Sequence, residues 1–163
     1  MTHNAYIALG ANLGPREQHI ARALERLRAN PDVVVVRVSD LIETLPVGGP
    51  PGQPHFLNGA AHLLTPLSPR ALLSTLLEIE RECGRRRPEP ERNSPRTLDL
   101  DLLLYDDLIL EQPDLQLPHP RMHEREFVLR PLAQIAGGVV HPKFHRSINE
   151  LLEPGTPQQI YKA

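Results

Sequence analysis

Apolar positions recur along the chain with two different periods, and the changes of period mark out the elements. "NAYIALG" (residues 4–10) has the short apolar run of a first strand. After Pro15, Ile20, Ala23, Leu24 and Leu27 fall on one face at the 3.6-residue period, which predicts a helix that stops near Asn30-Pro31. "VVVVRVSDLIE" (33–43) is β-branched and predicts one second strand, and "FLNGAAHLL" (56–64) a third. Ser68-Pro69 is a capping residue followed by proline at a first helical position; the helix it opens carries Leu72, Leu73, Leu76, Leu77 and Cys83 and ends at Gly84. "LDLDLLLY" (98–105) supplies the fourth strand. The order βαββαβ is the split βαβ, or ferredoxin-like, α+β sandwich, in which an antiparallel sheet carries two helices on one face. "EREFVLRPLAQIA" and "SINELL" add C-terminal helices beyond that core.

The fourth strand holds an anomaly. Side chains at i and i+2 of a strand share a face, so Asp99 and Asp101 stand side by side while Leu98, Leu100 and Leu102 line the other face. Two adjacent carboxylates repel, and a cation, either arginine or metal, belongs with them. The arginines are close in sequence. Residues 85–96 carry five arginines against two glutamates, a net +3 in a chain whose total is −2. A proline-punctuated arginine loop running into paired carboxylates suits a polyphosphate with bound Mg²⁺: carboxylates hold the ion through oxygen, and guanidinium forks take the remaining phosphate oxygens.

Composition narrows the class. At 163 residues with no break in composition, one domain spanning 1–163 is expected. The small net charge argues against a general nucleic-acid or membrane-surface binder. "MTHNAYIALGANLG" has neither a basic n-region nor a long apolar run, and Cys83 is a lone cysteine, so a cytoplasmic protein is expected. Proline makes up 18 of the 163 residues and clusters at 46–54, 88–95 and 113–120, in loops. "LGANLG" fits neither the dinucleotide nor the Walker phosphate pattern and reads as a tight turn. "TLPVGGPPGQPHFLN" (44–58) is too long for a hairpin turn and reads as a binding loop, with Val47 and Phe56 beside a fixed amide, Asn58. His119-x3-His123 and His141-x3-His145 have metal-like spacing, but Pro120 and Pro142 disfavour the helices that would align them. Glu80 lies on the apolar face of its helix, either paired with an arginine or near a nucleotide; Arg86 reads as a solvated charge.

"ALGANLG", "ETLPVGGPPGQPHFLN", "GRRRPEPERNSPRTLDLDLLLY" and "LPHPRMHEREFVLRPLAQIA" occur in an order and spacing that resemble the 6-hydroxymethyl-7,8-dihydropterin pyrophosphokinase family of folate biosynthesis. The resemblance covers nearly the whole chain. It implies transfer of the β,γ-diphosphate of ATP to the pterin hydroxymethyl oxygen, giving pterin diphosphate and AMP, on a ferredoxin-like fold. It implies that Asp99 and Asp101 hold two Mg²⁺ ions, one bridging the α- and β-phosphates and one the β- and γ-phosphates. Arg85 and Arg96 match catalytic arginines, and Arg87 and Arg92 partners that close over the triphosphate. Leu102, His119 and Arg125 match ATP contacts. Gly10, Thr44, Leu45, Pro46, Val47, Phe56, Asn58 and Phe127 match the pterin pocket, with Phe56 and Phe127 sandwiching the ring and Asn58 bonding its edge. The expected partners are therefore ATP and the pterin, with no nucleic acid and no membrane, acting on a monomer. Two positions depart from the family pattern: Asn93 replaces a common lid tryptophan, and Ala11 a common serine.

Two other classes compete. A D-x-D nucleotide-sugar transferase also holds metal on a diphosphate, but 163 residues leave little room for donor and acceptor sites. A ferredoxin-like RNA-binding module could use the arginine loop, yet it needs exposed aromatics for stacking, and the chain has no Trp, three Phe and three Tyr. Without the resemblance, Phe56 and Phe127 read as core residues.

Overall fold

The computed structural model of the chain describes residues 1–45, 52, 55–83 and 98–153, and the backbone of 160–161. Its main sheet is built from β1 (His3–Ala11), β2 (Val34–Val38), β3 (Ile42–Thr44), β4 (Phe56–Thr65) and β5 (Asp99–Tyr105). α1 (Arg16–Ala29) follows β1 and α2 (Pro69–Glu82) follows β4. β1 pairs antiparallel with β4 on one side and β5 on the other, and β4 pairs antiparallel with β2 and β3. This is the expected split βαβ sheet. Beyond it lie the hairpin β6 (Leu110–Gln112) and β7 (Leu115–Leu117), a 3₁₀ turn at Met122–Glu124, and α3 (Glu126–Ala136). The short pair β8 (Val140–His141) and β9 (Arg146–Ser147), α4 (Ile148–Leu151) and β10 (Ile160–Tyr161), which pairs with β3, complete the chain.

The helix ends follow the sequence signals. Pro15 stands at the N-cap of α1, its carbonyl accepting the N–H of His19 at 3.1 Å, and Asn30 is the C-cap. Ser68 Oγ accepts the N–H of Ala71 at 3.2 Å, with Pro69 as the first residue of α2. No helix among the described residues is long and apolar enough to cross a membrane.

The two faces of the sheet carry separate cores. On the first, Ile20, Ala23 and Leu27 of α1 and Leu72, Leu76 and Ile79 of α2 pack on Ile7, Leu9, Leu57, Leu63, Leu98, Leu100 and Leu102. On the second, Val128, Leu129 and Leu132 of α3, with Met122 and Ile148, pack on Tyr6, Ala60, Leu103 and Leu104. Both faces of the sheet thus bear helices, α3 covering the side that α1 and α2 leave open.

Three irregularities depart from the sequence pattern. In β2, Val36 is an added residue between the pairs Val35↔Leu63 and Arg37↔His62. The segment expected as one second strand is two, because Ser39–Leu41, three residues, stand opposite only Gly59 and Ala60 between the pairs Val38↔Ala61 and Ile42↔Asn58. Ser39 bridges the gap: its N–H donates to Ala60 O at 2.9 Å, and its Oγ accepts the N–H of Ala60 at 2.8 Å. Gly59 makes the crossing possible, since a Cβ there would lie 2.7 Å from Leu41 Cδ2. In β5, Ile7 pairs with Leu102 but Tyr6 with Leu104, so Leu103 is an added residue and the strand bends.

Candidate active site

The open end of the second face is where three strands bring their functional residues together. Gly10 of β1 faces Asn58 of β4 on one side and Asp99 of β5 on the other, so these three residues form one row across the sheet. In the adjoining row Ala8 lies between Ala60 and Asp101. The period of two therefore puts both aspartates on the face they were expected to share, and Leu98, Leu100 and Leu102 in the opposite core. A cleft forms over these rows, lined by Gly10, Thr44, Leu45, Phe56, Asn58, Asp99, Asp101, Arg125 and Phe127, with Ala8, Leu9 and Val128.

Each side chain has a structural reason for its place. Asn58 is half-buried, and its Nδ2 donates to Thr44 Oγ1 at 2.6 Å, which fixes the amide plane. Gly10 lets that amide approach: a Cβ there would stand 3.0 Å from Asn58 Oδ1. Arg125 sits at the start of α3, its guanidinium carbon 5.7 Å from the centre of the Phe127 ring. At the base of the loop between β3 and β4, Arg16 donates to Glu43 Oε1 at 3.1 Å and to the carbonyl of His55 at 2.8 Å. That link ties α1 to both ends of the loop.

A second groove meets the cleft at Asp101. Leu73, Leu77, Leu102, Asp114, Gln116 and His119 are among its walls. The N–H of His119 donates to Leu103 O at 2.8 Å, and its Nδ1 accepts the N–H of Arg121 at 3.2 Å, which leaves the ring proton on Nε2. Burial first, then the positive charge of Arg125, pushes this imidazole down to about 4, against which Asp99 acts. His119 is thus a neutral hydrogen-bond donor near pH 7.

Of the residues singled out from sequence, Gly10, Thr44, Leu45, Phe56, Asn58, Asp99, Asp101, Arg125 and Phe127 meet in the cleft, while Leu102 and His119 lie in the adjoining groove. Arg85, Arg86, Arg87, Arg92, Asn93 and Arg96, and Pro46 and Val47, lie outside the described residues. Glu80 is 1% exposed and accepts the N–H of Leu100 at 2.7 Å, a partner that neither sequence reading named. Sequence reasoning also missed Ala8, whose signal was its position two residues before Gly10 on the same strand face, and the Arg16–Glu43–His55 link, which has none.

The residues suit a hard divalent ion shared with phosphate. Asp99 and Asp101 offer oxygen ligands on one wall of the cleft, facing the small residues Gly10 and Ala8, and among the described residues no group of three or more His, Cys, Asp or Glu could hold a metal by itself. Mg²⁺ typically takes one or two carboxylates and completes its shell from water and substrate phosphate, which is what two carboxylates in an open cleft allow.

Comparison with known proteins agrees with this arrangement. A 2-amino-4-hydroxy-6-hydroxymethyldihydropteridine pyrophosphokinase of Synechocystis sp. is 43% identical over 151 residues, 93% of this chain and 75% of the relative. The protein of the same description from Bacillus subtilis is 47% identical over 135 residues, 83% of this chain and 79% of the relative. Among solved structures, Plasmodium falciparum HPPK-DHPS with pteroate superposes with a TM-score of 0.73 over 93% of this chain and 42% of that chain; at 14% identity this likeness speaks to the fold. The model of the 7,8-dihydro-6-hydroxymethylpterin-pyrophosphokinase family matches residues 6–137. The chain belongs to that family.

Proposed function

We propose that the cleft and its adjoining groove carry out the family's reaction, transfer of the diphosphate of ATP to the hydroxymethyl group of 6-hydroxymethyl-7,8-dihydropterin with release of AMP. The observation that carries the assignment of the site is the single row Asn58–Gly10–Asp99, which sets a ring-recognising amide and a cation-binding carboxylate on one surface.

In this reading the flat pterin lies between Phe56 and Phe127, with the Asn58 amide at its edge, held in plane by Thr44. The nucleotide follows the second groove, where Leu73, Leu77 and Leu102 offer an apolar wall to the base. Neutral His119 donates through Nε2 to a phosphate oxygen, and Arg125 adds a fixed positive charge. Asp99 and Asp101 would hold Mg²⁺ against the triphosphate, and when bound the metal neutralises charge as the diphosphate moves. The hydroxymethyl oxygen bonds to the β-phosphorus as its proton passes to solvent, the bond to the α,β-bridging oxygen breaks, and AMP leaves with that oxygen. Arg85 and Arg96 are assigned to this step by resemblance, with Arg87 and Arg92 around the triphosphate.

The test is a product assay with ATP, Mg²⁺ and the pterin. AMP should appear in step with pterin diphosphate. Release of ADP would mean transfer of one phosphoryl group and would overturn the assignment.

A further inference from the structure

Glu80 is a buried charge that the reaction above does not use. It lies in the last turn of α2, 1% exposed, on the helix face that otherwise presents Leu72, Leu76 and Ile79. Packing alone would be met by another aliphatic residue, and a buried carboxylate carries a desolvation cost that an aliphatic side chain avoids. Its Oε2 accepts the N–H of Leu100 at 2.7 Å, and Leu100 separates Asp99 from Asp101. Among the described residues β5 ends its sheet on this side, so the Leu100 N–H points away from β1 with no strand to receive it. A carboxylate is the strongest acceptor a side chain can bring to such a group.

We propose that Glu80 is a positioning residue for the cation-binding aspartates: by holding the Leu100 N–H it fixes the stretch of backbone from which both carboxylates project. Asp99 and Asp101 repel each other across one face, and the peptides flanking Leu100 are where the strand would yield to that repulsion. Anchored there from α2, the strand keeps the carboxylate spacing that a shared cation needs. The proposal rests on the reading of Asp99 and Asp101 as metal ligands.

The test compares Glu80→Gln, which keeps an oxygen acceptor, with Glu80→Met, which keeps volume and helix preference but no acceptor. Two quantities are measured: hydrogen exchange of the Leu100 amide in metal-free protein, and Mn²⁺ affinity by electron paramagnetic resonance with α,β-methylene ATP. Glu80→Met should speed Leu100 exchange and weaken Mn²⁺ binding about tenfold, while Glu80→Gln should hold both within about threefold of the unmodified chain. Equal weakening in the two variants would mean that charge matters and not the hydrogen bond, and would overturn the proposal; so would unchanged Mn²⁺ affinity in Glu80→Met. Asp101→Asn is the reference: if it too leaves Mn²⁺ affinity unchanged, the aspartates are not the ligands, whereas its weakening beside an unaffected Glu80→Met rejects the role of Glu80 alone. Should Glu80→Met not fold, Glu80→Gln decides, because loss of Leu100 protection or of Mn²⁺ affinity there contradicts the proposal.

Discussion

At Gly10 one absent methyl group decides where the amide of Asn58 can stand. A Cβ would lie 3.0 Å from Asn58 Oδ1, and the amide has little freedom to step aside because its Nδ2 is bonded to Thr44 Oγ1 at 2.6 Å. Gly10→Ala should raise the KM for the pterin about tenfold and leave that for ATP within about twofold, since it disturbs one half-buried polar contact on the pterin side only. Initial rates of AMP formation against each substrate check this; an unchanged pterin KM would place the ring elsewhere. Asp99 and Asp101 were legible as a pair because a strand's period of two puts them on one face, whereas Asn58 entered as the fixed amide of a binding loop and Gly10 only through the family resemblance. The sequence could not show that Glu80 takes the Leu100 N–H. The donor is a main-chain N–H, which every residue except proline possesses, so no residue type marks it. Arg16 was hidden for a related reason: its two partners lie 27 and 39 residues away, and only the folded turn after β1 brings them within reach.

Among the elements, the interruption between β2 and β3 has the largest effect on the site. A strand continuing unbroken from Val38, which packs in the first core, would keep even-numbered residues on that side and turn Glu43 toward the cleft. The added residue at Ser39–Leu41 reverses the alternation, so Thr44 lines the cleft and Glu43 meets Arg16. The run "VVVVRVSDLIE" conceals this, because its apolar residues satisfy a strand pattern in either phase, and the bridge that breaks it is a serine hydroxyl bonded to a residue 21 positions later. Ser39→Ala would leave the buried N–H of Ala60 without its acceptor. The expected loss is about 1–3 kcal/mol, and thermal unfolding followed by circular dichroism should show Tm lowered by roughly 2–10 °C. Ser39→Thr, which restores the hydroxyl, should recover most of it. Equal melting temperatures for all three proteins would show that the bridge contributes nothing to holding the two strands on β4. Helix positions, in contrast, were legible to within a residue or two, since Ser68 caps α2 through its own side chain and Asn30, the residue before a proline, leaves the helical conformation at the end of α1.

For the whole molecule, two cores on opposite faces leave one end of the second face open, and the stability of that arrangement depends on pH through histidine. His141 is 2% exposed beside Phe144, and its Nδ1 accepts the N–H groups of Lys143 and Phe144 at 3.2 and 3.3 Å, which only an unprotonated Nδ1 can do. Burial, then the charges of His123 and Lys143, lowers its pKa from 6.5 to about 4. The unfolded chain therefore binds the extra proton first, so this contribution is complete above about pH 6.5 and is lost as the pH falls toward about 4. His141→Asn, whose amide oxygen can take the place of Nδ1 without titrating in this range, should lose less Tm than the unmodified chain between pH 7 and 4. Parallel curves would exclude His141 as a source of acid sensitivity. The sheet order was legible from the succession of elements, but the covering of its second face by α3 was not, because an amphipathic helix does not say which side of a sheet it will meet. The row Asn58–Gly10–Asp99 also acts as a ruler. Neighbouring strands are held about 4.8 Å apart by their hydrogen bonds, so the amide at one end and the carboxylate at the other are separated by two such steps, roughly 10 Å. That length is a property of peptide geometry and is the same whatever side chains fill the row. Substitution can change what the cleft grips but hardly how far apart it grips, so a ligand that links a ring to a metal-bound phosphate must match the interval or leave one end unheld.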